Sequence, residues 1–168
     1  ATLLDEVPPG DLELSMEVLR NFKHQQVLRV AACDLLAGYP IADVSNHLTA
    51  IAEVLLERAL QMAWQELIVR HGRPRTGPGG AVAGFAVIAY GKLGGRELGY
   101  SSDLDLVFVH DHAPVNAETD GPRPVANAVF FTRLAQRVIH LLATPTPAGH
   151  AYELDLRLRP SGASGLLV

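Results

Sequence analysis

Apolar residues recur at helical spacing through the first 72 positions. The first series is Leu12, Met16, Leu19, Val27, Val30 and Leu35, and the second is Leu48, Ile51, Leu55, Met62 and Leu67. Asp11 can cap the first predicted helix, after the breaker at residues 8–10, and Gly38-Tyr39-Pro40 ends it. A second helix is predicted from near Asp43 to Gly72. The pattern predicts a helical hairpin over residues 1–72, which is either a packing module or a linker between two catalytic domains.

After a loop at residues 73–80 (RPRTGPGG), the pattern changes to one of short strands with a single helix. The predicted strands are residues 85–89, 103–109 and 152–158, and residues 166–168 could begin a fourth. Residues 113–124 are predicted to be an exposed loop, and Phe130, Leu134, Val138 and Leu141 mark a helix that ends before Pro145. The sequence therefore predicts an α+β protein, with a core at residues 81–168 that follows the hairpin and the loop.

Composition and charge exclude several classes of protein. The apolar fraction of 48% is typical of a soluble globular protein, no stretch reaches eighteen apolar residues, and the N-terminus does not resemble a signal peptide. The one cysteine, Cys33, excludes an internal disulfide. The net charge of −4 and the dispersed basic residues argue against nucleic acid as a substrate. The abrupt apolar ending GLLV leads us to expect a piece of a longer protein.

Two aspartates on the second predicted strand form the first candidate site. Asp103 and Asp105 are two residues apart, so both carboxylates project to one side of a strand while Leu104 and Leu106 project to the other. Adjacent carboxylates repel each other unless a cation lies between them. Oxygen ligands of this kind suit magnesium, which binds carboxylates together with substrate phosphates.

The third predicted strand carries four charges on one face. Glu153, Asp155, Arg157 and Arg159 alternate with leucines. Taken alone, this pattern is equally typical of a solvated sheet face. Beside the two aspartates, however, a third carboxylate would complete a two-metal site for phosphoryl transfer.

A glycine-rich turn precedes the aspartates. Gly91, Lys92 and Gly94 follow a predicted strand, and a helical turn is expected at residues 96–98. Glycines allow backbone amides to approach phosphate oxygens, although most such turns have no ligand. Ser101 and Ser102 could donate to phosphate or simply shape the entry into the strand.

Together these features resemble a known superfamily. A glycine turn, a strand with Asp-x-Asp and a third carboxylate on a later strand are the layout of polymerase-beta-type nucleotidyltransferases. The strings YGKLGGRELGYSSDLDLVF and YELDLRLRPSGASGLLV are similar to those of the glutamine synthetase adenylyltransferase family. The resemblance is strong over residues 84–168 and looser over residues 11–72. That family has two related nucleotidyltransferase domains, and this chain looks more like the C-terminal, adenylylating copy.

The resemblance implies a set of site residues. Asp103, Asp105 and Asp155 match the catalytic metal ligands, with Glu153 as a competitor for the third position. Gly91 matches the superfamily's turn glycine, whereas Lys92 stands where a small residue is usual. The other implied nucleotide-binding positions are Gly94, Ser101, Ser102, Arg157 and Arg159, and the two arginines either pair with the triphosphate or neutralise neighbouring carboxylates.

The implied reaction is transfer of AMP from ATP to a tyrosine of glutamine synthetase, with release of pyrophosphate. The family implies two Mg²⁺ ions, ATP as substrate, a cytoplasmic location, and glutamine synthetase and the PII signal protein as partners. The alternatives are phosphorolytic removal of AMP, a non-catalytic nucleotide-sensing or docking module, and, less favoured, a small-molecule transferase. The presence of all three carboxylates argues against the non-catalytic alternative.

Overall fold

The computed structural model describes residues 11–77, 79–111 and 117–158 of the chain. The predicted breaker at residues 8–10, part of the predicted loop at 113–124, Arg159 and the possible strand at 166–168 lie outside these ranges.

Two long helices form the predicted hairpin. Helix α1 spans Leu12–Ala37, and the carboxylate of Asp11 caps it by accepting a hydrogen bond from the Leu14 amide at 3.0 Å. Gly38 ends α1 in the left-handed conformation, with φ of 63°. Helix α2 spans Ile41–His71 and begins directly after Pro40, two residues earlier than the predicted start at Asp43. The helices pack on each other across this short connection.

A small mixed sheet forms the rest of the core. Strand β1 (Phe85–Ala89) leads into the short helix α3 (Gly91–Gly94), and β2 (Leu104–His110) pairs antiparallel with β1. Helix α4 (Asn127–Ala143) connects β2 to β3 (Leu154–Asp155), which pairs parallel with β2. The strand order is β1-β2-β3, so β2 is the central strand. The α+β class is therefore confirmed.

Strand β2 and helix α4 supply most of the core between sheet and helices. Leu104, Leu106 and Phe108 are buried on one face of β2, as the alternation predicts. Helix α4 buries Phe130 and Phe131, and the Phe131 ring stacks on His110 of β2 at 4.6 Å. On α2, the ring of Trp64 packs edge-on to Phe130 at 5.4 Å. This packing fixes the central strand that carries the aspartates.

Two sequence predictions about the core are wrong in detail. The helical turn lies at Gly91–Gly94 instead of residues 96–98, and Arg96 has a positive φ of 58° that no helix accommodates. Strand β3 is only two residues long, and Leu158 lies in a turn with 55% of its surface exposed. The strand ends early because the Asp155 carboxylate accepts a hydrogen bond from the amide of Arg157, which replaces a ladder bond with a local turn.

The loop is mostly exposed at residues 117–124, as its composition predicts, but it is anchored to the loop that follows α2. Thr119 is buried and pairs across a single antiparallel bridge with Pro74, in the loop that follows α2. Asn127 donates through its side-chain amide to the carbonyl of Arg75 at 2.7 Å. The two loops thus brace each other. Among the residues that the structure describes, no helix has the length and apolar character needed to cross a bilayer.

Candidate functional site

The register of β2 and β3 brings two of the predicted carboxylates side by side. Asp105 and Asp155 are direct partners in the parallel pair. Register partners on neighbouring strands project their side chains to the same face of a sheet. Asp103 lies two residues before Asp105, at the exposed entry to β2. These three residues therefore lie at the same end of the sheet, across the neighbouring strands β2 and β3. We refer to this end as the aspartate edge.

The glycine turn packs directly against the second aspartate. A side-chain carbon at Gly91 would lie 2.1 Å from the Oδ2 atom of Asp105, and Gly91 has a φ of 53°. The amide of Tyr90 donates to the carbonyl of Asp105 at 2.9 Å, which ties the start of the turn to β2. Only glycine fits here, because both the backbone angle and the approach of the carboxylate exclude a side chain.

The other predicted nucleotide-binding residues between β1 and β2 lie on α3 or in the separate turn just before β2, in different surroundings. Gly94 lies against β1, where an added side-chain carbon would be 2.6 Å from the carbonyl of Ala89, so packing already requires a glycine there. Lys92 and Ser101 are exposed. The hydroxyl of Ser102 accepts a hydrogen bond from the Gly99 amide at 3.0 Å, which is the turn-shaping role left open by the sequence.

Arg157 binds Asp155. Its Nη2 atom lies 2.5 Å from the Oδ2 atom of Asp155, and its Nε atom lies 2.9 Å and 3.0 Å from the two carboxylate oxygens. These hydrogen bonds lower the pKa of Asp155 to about 2, so the carboxylate remains ionised throughout the neutral range. This contact corresponds to one of the two roles predicted for Arg157, and pairing with a triphosphate stays a prediction.

The negative charge at this edge extends beyond that pair. The pKa of Arg157 is raised first by its hydrogen bonds to Asp155, and also by the charges of Asp103 and Asp105. A single cation at this position is therefore attracted by all three carboxylates. Their oxygen-only chemistry fits magnesium. Within residues 11–77, 79–111 and 117–158, however, no three His, Cys, Asp or Glu side chains converge closely enough to hold a metal.

Glu153, the competitor for the third position, has different surroundings. Its carboxylate is largely exposed and lies 3.9 Å from the Nε2 atom of His150. Its contribution to the sheet comes from its backbone, since its carbonyl accepts from the amide of Leu104 at 3.0 Å. Of the two candidates, only Asp155 is in register with Asp105.

A buried arginine on α1 holds the segment that leads into β3, and the sequence analysis missed it. Arg20 is fully buried and donates to the carbonyls of Met16, Leu141, Thr144 and Gly149. Three of these acceptors lie in the last turn of α4 or the loop after it. A buried cation without an acidic partner is tolerated because carbonyl oxygens solvate it. The available signal was its position four residues after Met16, within the apolar stripe of α1.

Lys23 adds a second tie from α1 to the same segment. Its Nζ atom donates to the carbonyl of Ala151 at 2.5 Å and lies 4.3 Å from the centre of the Tyr152 ring. Burial raises the pKa of the Tyr152 phenol. The hairpin therefore contributes to the site indirectly, by positioning the strand that carries Asp155.

The hairpin also contacts the turn between α3 and β2. The Tyr100 hydroxyl donates to the carboxylate of Asp34 on α1 at 2.9 Å. Arg96 reaches α2, where its guanidinium lies 3.1 Å from the side-chain oxygen of Asn46 and 3.4 Å from Glu53. Both sides of the candidate site are thus connected to the hairpin. Helix α1 holds the segment before β3, and α1 and α2 together hold the turn before β2.

Comparison with known proteins places this geometry in context. The family model described as "Glutamate-ammonia ligase adenylyltransferase" matches residues 1–168. Three similar curated proteins share the name "Bifunctional glutamine synthetase adenylyltransferase/adenylyl-removing enzyme". Those of Nitrosococcus oceani and Pseudomonas putida are each 53% identical over 98% of this chain, and that of Shewanella frigidimarina is 54% identical over 96%. In each case the matched region is 17% of the relative's own length.

Proposed function

Because this chain belongs to the glutamate-ammonia ligase adenylyltransferase family, we propose that it carries the metal-binding core of a protein adenylyltransferase. The reaction is transfer of AMP from ATP to a tyrosine of glutamine synthetase, with release of pyrophosphate. One observation carries the proposal: Asp105 is in register with Asp155 and packs against Gly91, which places a carboxylate pair beside a glycine turn.

The residues have distinct proposed roles. Asp103, Asp105 and Asp155 would hold magnesium, for which we propose two ions, together with phosphate oxygens of the nucleotide, because the three carboxylates alone do not converge closely enough. The ions would supply neutralisation of charge on the reacting phosphates. The backbone amides proposed to bind the triphosphate are those of Gly91, Lys92 and Leu93 in the first turn of α3, since the Gly94 amide already donates to the carbonyl of Tyr90 at 3.0 Å. Lys92 and Ser101 are exposed on or close to that turn and are available to the same phosphates.

Asp155 is better suited to hold a cation than to act as a base. With Arg157 bound, the pKa of Asp155 is about 2, so the carboxylate accepts a proton poorly from a phenol whose ordinary pKa is about 10. A cation in place of Arg157 would likewise favour the ionised carboxylate. We propose that Arg157 would be free to bind a nucleotide phosphate if a metal ion occupied its place beside Asp155. The guanidinium suits this exchange because it forms forked hydrogen bonds with carboxylates and phosphates alike.

A second candidate reaction is removal of AMP by phosphate. The names of the relatives include both activities, and both require the same carboxylates. The adenylylating direction is favoured by the resemblance of GYSSDLDL and RLRPSGASG to the C-terminal copy of the family. Control by the PII signal protein and a cytoplasmic location are further proposals that rest on the same resemblance.

The two directions are separated by their products. The full-length polypeptide is incubated with labelled ATP, magnesium and unmodified glutamine synthetase, and, separately, with adenylylated synthetase and phosphate. An adenylylating core moves label from ATP onto the synthetase, and inactivating substitutions in this segment abolish that transfer while leaving phosphorolysis intact. The reverse pattern would establish the removing reaction instead, and no effect on either would refute a catalytic role.

The third metal position is tested by a matched pair of variants. Asp155→Asn and Glu153→Gln each remove one negative charge from neighbouring positions with little change of shape. If Asp155 is the ligand, Asp155→Asn lowers transfer by about 100-fold or more, whereas Glu153→Gln stays within about threefold of the unaltered protein. Equal losses, or a larger loss for Glu153→Gln, would contradict the assignment.

A further inference from the structure

A basic pocket lies between α2 and α4, and the proposed reaction does not use it. The residues that determine its character are Glu66, Arg70, His71, Arg133, Arg137 and His140, and its volume is about 440 Å³. None of them is among the proposed metal or nucleotide ligands. We refer to this cavity as the His71 pocket.

Its charge is positive in a protein whose net charge is −4. Arg137 is paired with Glu66 at 2.6 Å. Among the described residues, Arg70 and Arg133 have no acidic partner. The pocket therefore holds two uncompensated guanidinium groups, and such groups attract an anion.

His71 holds one of these guanidinium groups in place without neutralising it. Its Nδ1 atom lies 2.7 Å from the carbonyl of Arg123, and because a carbonyl only accepts, Nδ1 carries the proton. The Nε2 atom of the neutral ring then accepts from the Nη1 atom of Arg133 at 3.1 Å. With only 4% of its surface exposed, the ring is a fixed support, and it leaves the other N–H groups of Arg133 available.

The backbone next to His71, at Gly72 and Gly121, is closely packed. A side-chain carbon at Gly72 would lie 2.1 Å from the amide nitrogen of Gly121, and one at Gly121 would lie 2.2 Å from the amide nitrogen of Gly72. The Gly121 amide donates to the carbonyl of His71 at 3.0 Å. This close packing and the hydrogen bond hold His71, which lines the pocket, in place before any ligand binds, which lowers the entropic cost of binding.

We propose that the His71 pocket binds a dianionic phosphate group between Arg70 and Arg133. Two guanidinium groups match the charge of one phosphate, and their forked donors match its oxygens. The source is either free inorganic phosphate or the phosphate of a small molecule, and the volume of about 440 Å³ has room for the latter. Binding at this pocket is separate from the reaction at the aspartate edge.

The other explanation for Arg70 is structural. It lies in the last turn of α2, where cations interact favourably with the helix dipole. That role predicts a loss of stability on substitution but no phosphate binding, so the two are distinguished by ligand titration.

The test is calorimetric titration of the full-length polypeptide with inorganic phosphate and, separately, with AMP. EDTA is present and Asp105→Asn is the common background, which removes binding that depends on metal at the aspartate edge. Ionic strength is held constant with sodium chloride. The variants are Arg70→Gln and Arg133→Gln, with Arg29→Gln on α1 as the control that loses the same charge from an exposed position.

Saturable binding of either ligand is expected, with at least a tenfold loss of affinity in both pocket variants and less than a twofold loss in Arg29→Gln. Tighter binding of AMP identifies a small-molecule phosphate as the source, and binding of phosphate alone identifies the free ion. Arg70→Gln keeps the test decisive if Arg133→Gln fails to fold, because Arg70 is exposed. Absence of saturable binding, or equal affinity in Arg70→Gln and the background protein, would overturn the proposal.

Discussion

Gly91 shows how one residue links backbone geometry to the proposed chemistry. Its positive φ excludes other residues on conformational grounds, and the Asp105 carboxylate occupies the space that a side chain would need. Any substitution therefore displaces either the glycine turn or the aspartate. Both are proposed to contact the metal-bound triphosphate.

Gly38 provides a matched control for this position. It also has a positive φ, of 63°, but nothing lies within 4 Å of the place where a side-chain carbon would be. Both alanine variants carry a backbone cost of about 1–2 kcal/mol. Gly91→Ala is expected to lower AMP transfer at least tenfold, because it also moves Asp105, whereas Gly38→Ala retains transfer. Transfer assays on both variants, at a temperature where both are folded, test this, and equal activity would contradict it.

At the residue scale, local pattern predicted the carboxylates and a role for Arg157 beside them, but not the buried Arg20 that holds the segment before β3. Alternation placed Asp103 and Asp105 on one side of a strand without any tertiary information. Arg20 was missed because the carbonyls of Leu141, Thr144 and Gly149 are more than 120 residues away in sequence, and no local rule connects them to α1.

At the scale of elements, α1 holds the segment between α4 and β3 in place through the side chains of Arg20 and Lys23. Arg20 closes the end of α4, whose last carbonyls have no partners within the helix. Lys23 holds the residues immediately before β3. Loss of these hydrogen bonds should therefore affect both the free energy of unfolding and the position of Asp155.

Replacing Arg20 with methionine tests how much its hydrogen bonds to the end of α4 and the loop after it contribute to stability. The change keeps much of the apolar volume but leaves buried carbonyls without donors, so we expect a loss of about 2–4 kcal/mol in the free energy of unfolding. Arg29→Met, at an exposed position on the same helix, should stay within about 0.5 kcal/mol. Urea denaturation of both variants measures the difference, and similar midpoints would show that Arg20 contributes little.

The loops that brace the end of α2 give a pH-dependent prediction. The pKa of Asp120 is lowered first by the backbone amide of Arg73, and then by Arg75. Because the folded pKa lies below the unfolded value of about 3.9, the stabilisation is present above about pH 4 and is lost as the pH falls through the folded pKa. The stability advantage over Asp120→Asn should therefore shrink between pH 7 and pH 2.5. Urea midpoints at both pH values test this, and an unchanged difference would contradict it.

Element types were predictable, but two boundaries were not. Apolar periodicity identified both hairpin helices and α4, and a short apolar run identified the Phe85–Ala89 strand, which is half-buried. The end of β3 depended on a side-chain contact between Asp155 and Arg157, and the start of α3 on a left-handed glycine. Periodicity carries no information about either.

At the scale of the whole molecule, the hairpin and the sheet form one support for the carboxylate edge. Helix α2 packs on α4, α1 packs on both, and Tyr100 and Arg96 tie the turn before β2 to the hairpin. For residues 1–72 the sequence left a packing module and a linker between two catalytic domains open, and the contacts of α1 and α2 add a specific role for the described part. This part positions both strands that carry the proposed metal ligands.

The central claim is that Asp105 belongs to a catalytic metal site. Asp105→Asn keeps the shape of the side chain and removes one negative charge, with Glu57→Gln on α2 as a control that removes a charge elsewhere. In the ground state, triphosphate oxygens would still hold a metal ion, so ATP affinity should fall little. Turnover should fall more, because charge stabilisation in the transition state would depend on accurate placement of the metal by Asp105.

The most direct test is therefore to measure AMP transfer to glutamine synthetase and ATP affinity side by side, in the full-length polypeptide with magnesium. The account predicts that Asp105→Asn lowers turnover by about 100- to 1,000-fold while ATP affinity falls much less, and that Glu57→Gln leaves both unchanged. Near-normal turnover in Asp105→Asn would mean that Asp103 and Asp105 are structural, and would contradict the assignment of this chain as an adenylyltransferase core.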